Sequence, residues 1–471
     1  MDSQDVRMSS GVSSQKEMAL GLTRGARERA MSATLAMNEA VARRRAEGRE
    51  TIHLGFGEAS FPLHPLLEGA LGGAARSTGY APVLGIGELR GAIAGYLGRS
   101  RQVGFSADEI VVGPGSKPLL YALMQVLEGD VLLPVPAWVS YAPQAWLAGK
   151  RAIGVQADAV DRHRLTPEML AEALDYARRE GANPRIVLVN TPSNPTGGMF
   201  DRGDVEALAV WARDAGMTLI SDEIYAELAH GWREHVSPAQ FYPEGCIVTG
   251  GLSKAFSAGG WRLGYAALPA GEGGRQLRGA LRALASEVWS ATATPVQEAA
   301  VVAFAPDSEI ELYVRRSARV HGHAAGRLYE TLVKLGVPCP RPAGGFYLYP
   351  DFAPWREALR ARGIATSSEL AHYLLDEWDV ATLPGTAFGE QAEALRLRLA
   401  TSMLYSRDGV GASSPGAERE AGLWALLEQA DRLPGGDAAS GHVLPMPELE
   451  RAQARLTEFV EFLNSVVYSR V

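Results

Sequence analysis

The sequence predicts an α/β protein built on a mostly parallel sheet, and three observations carry that expectation. Short apolar runs at Val131–Leu133, Ile186–Val189, Met217–Ile220 and Cys246–Thr249 do not alternate with polar residues, which is the pattern of strands buried on both faces. Helical segments, notably Pro167–Glu180 and Arg202–Ala215, lie between them, and such strand–helix repetition favours parallel pairing with helices on both sides. A chain of 471 residues also exceeds one ordinary hydrophobic core, so two domains are expected.

Taken in order, residues 1–25 are rich in Ser, Gly and charge and are expected to form a flexible tail. A helix is expected over Arg27–Glu47, where apolar residues recur on one face and Gly48 closes the pattern. An apolar strand, Ile52–Phe56, leads into Gly57-Glu-Ala-Ser-Phe-Pro62, either a plain turn or a place where backbone approaches a ligand. The segment from Tyr80 leads into a helix through Leu97, and a strand is expected at Glu109–Val112. The loop Gly113-Pro-Gly-Ser-Lys117 then opens a helix to Leu127. Glycines at a strand-to-helix junction expose N–H groups at the positive end of a helix dipole, which makes an anion cradle. It lacks the spacing of a nucleotide P-loop. Further on, Gly344–Tyr347 begins a strand of a smaller C-terminal domain, and Leu383-Pro-Gly-Thr-Ala-Phe388 is a loop suited to closing on a ligand. The stretch Leu395–Leu399 alternates like a strand and puts Arg396 and Arg398 on one face. A helix over Glu448–Leu463 ends the fold.

Composition excludes several classes. The net charge of −8 offers no basic surface for nucleic acid or anionic lipid. Two cysteines, Cys246 and Cys339, can form neither a disulfide framework nor a metal cluster. No apolar run is long enough to span a membrane, and the polar N-terminus lacks the apolar core of a signal peptide. A soluble, cytoplasmic protein without a metal is the expectation.

In parallel sheets, ligands bind beyond the carboxyl ends of the strands, and the polar residues there form one chemical set. Trp138 follows the first run, Asn194 the second, Asp222 and Tyr225 the third. The fourth run leads into Gly251-Leu-Ser-Lys254-Ala-Phe-Ser-Ala-Gly-Gly-Trp-Arg262-Leu-Gly-Tyr265. An amine that attacks a carbonyl needs space and a depressed pKa, and the small neighbours of Lys254 give the space. The guanidinium of Arg262 suits a phosphate. A lysine with a phosphate-binding arginine is what pyridoxal 5'-phosphate (PLP) chemistry needs. A carboxylate such as Asp222 can keep the pyridine nitrogen protonated, Asn194 and Tyr225 can hydrogen-bond the ring oxygen, and Trp138 can stack on the ring.

These residues resemble those of the class I/II aminotransferases of PLP-dependent fold type I, in the aspartate/aromatic branch. Gly251–Gly264 matches that family's lysine motif, and Ser32-Ala-Thr-Leu-Ala-Met-Asn38, Ser193-Asn-Pro-Thr-Gly197 and Ser221-Asp-Glu-Ile-Tyr225 are further matches. The resemblance covers about residues 26–404 and the final helix. It implies a large PLP-binding domain at 61–305 with a mostly parallel seven-stranded sheet between helices. A smaller α+β C-terminal domain would span 306–471, joined by an N-terminal arm at 26–60. By resemblance, Lys254 forms the Schiff base with PLP, Asp222 faces the pyridine nitrogen, Asn194 and Tyr225 face the ring oxygen, and Trp138 stacks. Ser116, Lys117 and Arg262 would hold the phosphate. Tyr80 would reach the phosphate of the other subunit of a homodimer. Arg396 would bind the substrate α-carboxylate and Gly57 would approach it through backbone, Arg398 being left on a solvated face.

The implied reaction moves the amino group of an L-amino acid to a 2-oxo acid. The alternative is another PLP reaction, such as elimination, substitution, decarboxylation or oxidative deamination. A DNA-binding regulator built on the same domain would need a basic helix–turn–helix that this chain does not offer. Three departures from the family pattern stand out: Gly251 where many relatives carry Ser, Gly-Glu-Ala-Ser-Phe where Gly-Glu-Pro-Asp-Phe is usual, and an insertion at about 405–446 containing an amphipathic stretch, Ala417–Arg432.

Overall fold

All four apolar runs are strands in the computed structural model, which describes residues 21–22, 31–158, 163–231, 233–405, 417–433 and 443–468. The tail expected over 1–25 and both ends of the insertion lie largely outside the described residues. Twelve strands are described. They are β1 (Ile52–His53), β2 (Ile110–Gly113), β3 (Asp130–Val135), β4 (Ala152–Gln156), β5 (Pro184–Asn190) and β6 (Thr218–Asp222). Then come β7 (Cys246–Gly251), β8 (Gly264–Ala267), β9 (Tyr347–Leu348), β10 (Val380–Ala381), β11 (Leu383–Pro384) and β12 (Leu397–Ala400).

Seven of them form the main sheet in the order β2-β8-β7-β6-β5-β3-β4. β8 runs antiparallel to β2 and β7, and the other pairings are parallel. Ile186, Val187, Leu219, Ile220, Ile247 and Val248 are wholly buried, which is why these runs carry no alternation. The intervening helices begin where their caps dictate. Thr166 accepts the N–H of Met169 ahead of Pro167–Arg179, and Asp201 accepts that of Asp204 ahead of Arg202–Asp214.

Register then aligns the strand ends. Asn190 on β5 lies opposite Asp222 on β6, and Asp222 opposite Thr249 on β7. Behind this row, Glu223 is held by the buried Arg101 at 2.7 Å, by the Ser237 hydroxyl at 2.6 Å and by His235 at 3.0 Å. Burial alone would raise its carboxyl, but His235, Arg101 and Ser237 outweigh it and hold it down at about 2. The stability this carboxylate contributes is therefore present above its ordinary value of 4.5 and is lost as pH falls toward about 2. Glu223→Gln removes one of the two carboxylates paired with the buried Arg101 and leaves Glu227 as the other, and a loss of about 1–3 kcal/mol is expected in denaturant unfolding.

A second core lies beside the sheet. It gathers Ile52 and Leu54 from the N-terminal side with Val320 and Leu328 of the helix Ser308–Lys334, Leu370 of Ser367–Trp378, and Phe459 of Pro447–Tyr468. β1 pairs in parallel with β10, and β12 pairs antiparallel with β11 and β9. This pairing carries the turn after β1 to the junction of the two cores.

The expected helix at Arg27–Glu47 is observed over Ala33–Ala46, and the expected strand Ile52–Phe56 shrinks to β1. The amphipathic stretch of the insertion is a helix, Ala417–Gln429, continued by a 3₁₀ turn to Arg432. Four strands were not expected, two of them the two-residue β10 and β11, the latter at the start of the stretch expected as a loop. β4 is largely exposed, and β8, Gly-Tyr-Ala-Ala, has no β-branched residue to announce it.

Candidate active site

The residues after β3, β5, β6 and β7 converge on a cavity of about 270 Å³ at the junction of the cores. Its walls include Gly57, Ser116, Lys117, Trp138, Asn194, Asp222, Tyr225, Lys254 and Arg262. Nine of the eleven residues expected to serve the site thus share one space; Tyr80 and Arg396 do not.

Lys254 lies in the turn that follows β7. Its Nζ donates to the carbonyl oxygen of Gly57 at 2.8 Å. Burial pushes the amine down to about 8; Arg398 and Arg262 act in the same sense, and Glu58 and Asp222 oppose. The loop beyond it is held in unusual backbone, with positive φ at Ser257 (52°) and Arg262 (53°), a strain of the kind that collects at functional sites.

Asp222 ends β6 and is 3% exposed. Tyr141 Oη donates to its Oδ2 at 2.7 Å, and Thr249 Oγ1 donates to its Oδ1 at 3.2 Å. Burial raises the carboxyl to about 6, against the lowering effect of those two hydroxyls. A cationic N–H placed beside it would restore full ionisation.

At the other end of the cavity, Ser116 and Lys117 open the helix Ser116–Val126, whose first N–H groups favour an anion. Gly115 precedes them at φ 103°, and a Cβ there would stand 2.5 Å from an Arg262 Nη. Lys117 Nζ lies 5.4 Å from the centre of the Trp138 ring. An anion cradle at one end, a buried carboxylate at the other and a lysine with lowered pKa are a donor set that fits PLP.

The arginine expectation is corrected. Arg396 is absent from the cavity wall; its Nε donates to Asp351 at 3.0 Å and its Nη1 to Glu390 at 2.6 Å. Both carboxylates are close enough to saturate it. Arg398, expected on a solvated face, is instead 1% exposed and lines the cavity. Its Nη2 donates to Gly55 O at 2.6 Å and its Nη1 to Asn194 Oδ1 at 3.3 Å. Among the described residues its buried Nε has no hydrogen-bond partner, which leaves a donor for a ligand.

Tyr80 is 97% exposed and stands outside this chain's own cavity. Gly57 could carry no side chain, since a Cβ would fall 2.1 Å from the Tyr347 hydroxyl. Tyr347 and Tyr225 share a hydrogen bond of 2.8 Å. Sequence reasoning did not single out Tyr141, Thr249 or Tyr347. Tyr141 lies three residues after Trp138, and Thr249 lies opposite Asp222 once register is known; nothing local marks Tyr347.

Comparison with known proteins identifies the family. The family described as aminotransferase class I and II matches residues 54–404. The aspartate aminotransferase of Geobacillus stearothermophilus is 35% identical over 382 residues, covering 79% of this chain and 92% of that protein. The aspartate/prephenate aminotransferase of Cereibacter sphaeroides is 34% identical over 373 residues, covering 76% and 89%. The solved structure of Thermus thermophilus aspartate aminotransferase with maleate superposes with a TM-score of 0.73 at 30% identity, over 88% of this chain and 100% of that one. The chain belongs to the class I and II aminotransferases. It is a PLP-dependent transferase of fold type I that moves amino groups.

The Tyr141 hydroxyl lowers the Asp222 carboxyl. Tyr141→Phe therefore raises it, and the acidic limb of kcat against pH is expected to move up by about one unit. An unmoved limb in a fully folded variant would count against the Tyr141–Asp222 pair as a tuning contact.

Proposed function

We propose that the chain transfers the amino group of aspartate to a 2-oxo acid and works as a homodimer in the cytoplasm. The observation that supports this reading is the buried Arg398 in one cavity with Lys254 and Asp222. The named activities of the relatives supply the choice of aspartate. In this reading residues 61–305 form the cofactor-binding domain, and 306–471 with the 26–60 arm form the smaller one.

PLP, when bound, supplies a carbonyl that condenses with amines and a ring that spreads the charge left when Cα loses its proton. Arg398 orients the donor through its α-carboxylate, a charge-assisted contact with geometric specificity. The backbone of Gly57 closes the carboxylate side. Lys254 would hold the cofactor covalently, and its Nζ would take the proton from the donor Cα and give it back. Asp222, steadied by Tyr141 and Thr249, would keep a proton on the ring nitrogen. Asn194 and Tyr225 would hold the ring oxygen, and Trp138 would stack on the ring. Ser116, Lys117 and Arg262 would hold the phosphate, and Tyr80 would serve the phosphate of the partner subunit.

The test is a donor panel with 2-oxoglutarate as acceptor. Aspartate should give the highest kcat/KM, by roughly tenfold or more over neutral amino acids. A neutral or aromatic donor in first place would overturn the aspartate reading and leave the transferase class intact.

A further inference from the structure

Residue 404 ends the family match, yet the helix Ala417–Gln429 beyond it is built into the second core through Leu423, Leu426 and Leu427. Its Trp424 packs edge-on against His64, with ring centres 6.2 Å apart, and at a tilt against Tyr313 at 6.0 Å. Tyr313 in turn donates its hydroxyl proton to the carbonyl of Pro62 at 2.9 Å. Pro62 and His64 close the turn that starts at Gly57, and Gly57 is the acceptor for Lys254 Nζ at 2.8 Å.

A second link is electrostatic. Glu58 lines the active-site cavity. Burial raises its carboxyl, while Lys254 and Arg419 pull it back down. Arg419 belongs to the same helix. The extra helix thus holds the turn through the packing of Trp424.

We propose that the helix Ala417–Gln429 buttresses the active site, with Trp424 as the positioning residue that fixes the Gly57–His64 turn against Lys254. The segment absent from the family pattern then sets how tightly this turn closes the donor side of the cavity. The site assignment rests on the transferase reading, but the turn's rigidity can be measured without any substrate.

The experiment uses the PLP-loaded enzyme and the variants W424A, W424L and W424F. Hydrogen–deuterium exchange of residues 55–64 should be roughly fivefold faster in W424A and W424L, with β6 unchanged. With aspartate as donor, KM should rise roughly fivefold while kcat stays within twofold. W424F should restore both. Wild-type exchange at 55–64 together with wild-type KM in W424A and W424L would overturn the proposal; if W424A does not fold, W424L, which keeps an apolar side chain in the core, decides it. Should the wild type not turn over aspartate at all, the donor assignment fails, and the exchange measurement still decides the role of the helix.

Discussion

Lys254→Ala abolishes amino transfer, with kcat reduced by at least roughly 10⁴-fold. The expectation follows from the two tasks that one nitrogen performs. Lys254 Nζ is the amine in the cavity lowered to about 8, so a fraction near neutrality is unprotonated and nucleophilic. In the proposed mechanism the same nitrogen is the base for Cα, and Lys117, the other lysine on the cavity wall, is assigned to the phosphate. The variant should fold, because the amine's hydrogen bond is to the Gly57 carbonyl, a group next to the open cavity. Stopped-flow and steady-state rates, with PLP content and unfolding measured in parallel, check the claim. Turnover within tenfold of wild type would remove Lys254 from its role.

The next largest effect separates two arginines two residues apart. Arg398→Leu should lower kcat/KM for the donor by roughly a hundredfold, the value of about 3 kcal/mol carried by a buried charge-assisted pair. The loss should appear in binding, and no donor should escape it, since every one presents an α-carboxylate. Arg396→Leu should behave differently. It leaves Asp351 and Glu390 without their shared partner, costing about 1–3 kcal/mol of stability, with kcat/KM within a few-fold of wild type. Equal kinetic damage in the two variants would contradict the assignment of the carboxylate to Arg398.

That pair also marks where the sequence stops being informative. Alternation places residues 396 and 398 on the same side of a strand, so parity cannot rank them. What ranks them is the neighbourhood: Asp351 bridges to Arg396, whereas Arg398 is set against Asn194, which is 204 positions away in the chain. Such long-range pairings have no local signal. Tyr141 and Asp222 are likewise 81 residues apart. By contrast, the strand ends were legible, because a strand buried on both faces shows an unbroken apolar run and its first polar residue marks the edge of the sheet. Asn190, Asp222 and Thr249 therefore fall into one row once β5, β6 and β7 pair. β8 escaped notice since Gly264, Ala266 and Ala267 are poor strand formers that extend only through their antiparallel partners β2 and β7. The turn after β1 was visible as a turn, but the helix that buttresses it, some 350 residues later, was visible only as an amphipathic stretch.

The most direct test of the account is a half-reaction followed by the absorbance of the bound cofactor. Aspartate is added to PLP-loaded enzyme with no acceptor present, under air and without it, and 2-oxoglutarate is added afterwards. The account predicts that the visible band disappears in step with one equivalent of oxaloacetate, with no ammonia and no oxygen uptake, and that 2-oxoglutarate restores it. Ammonia release, oxygen consumption or a band that 2-oxoglutarate cannot restore would contradict amino transfer as the reaction of this site.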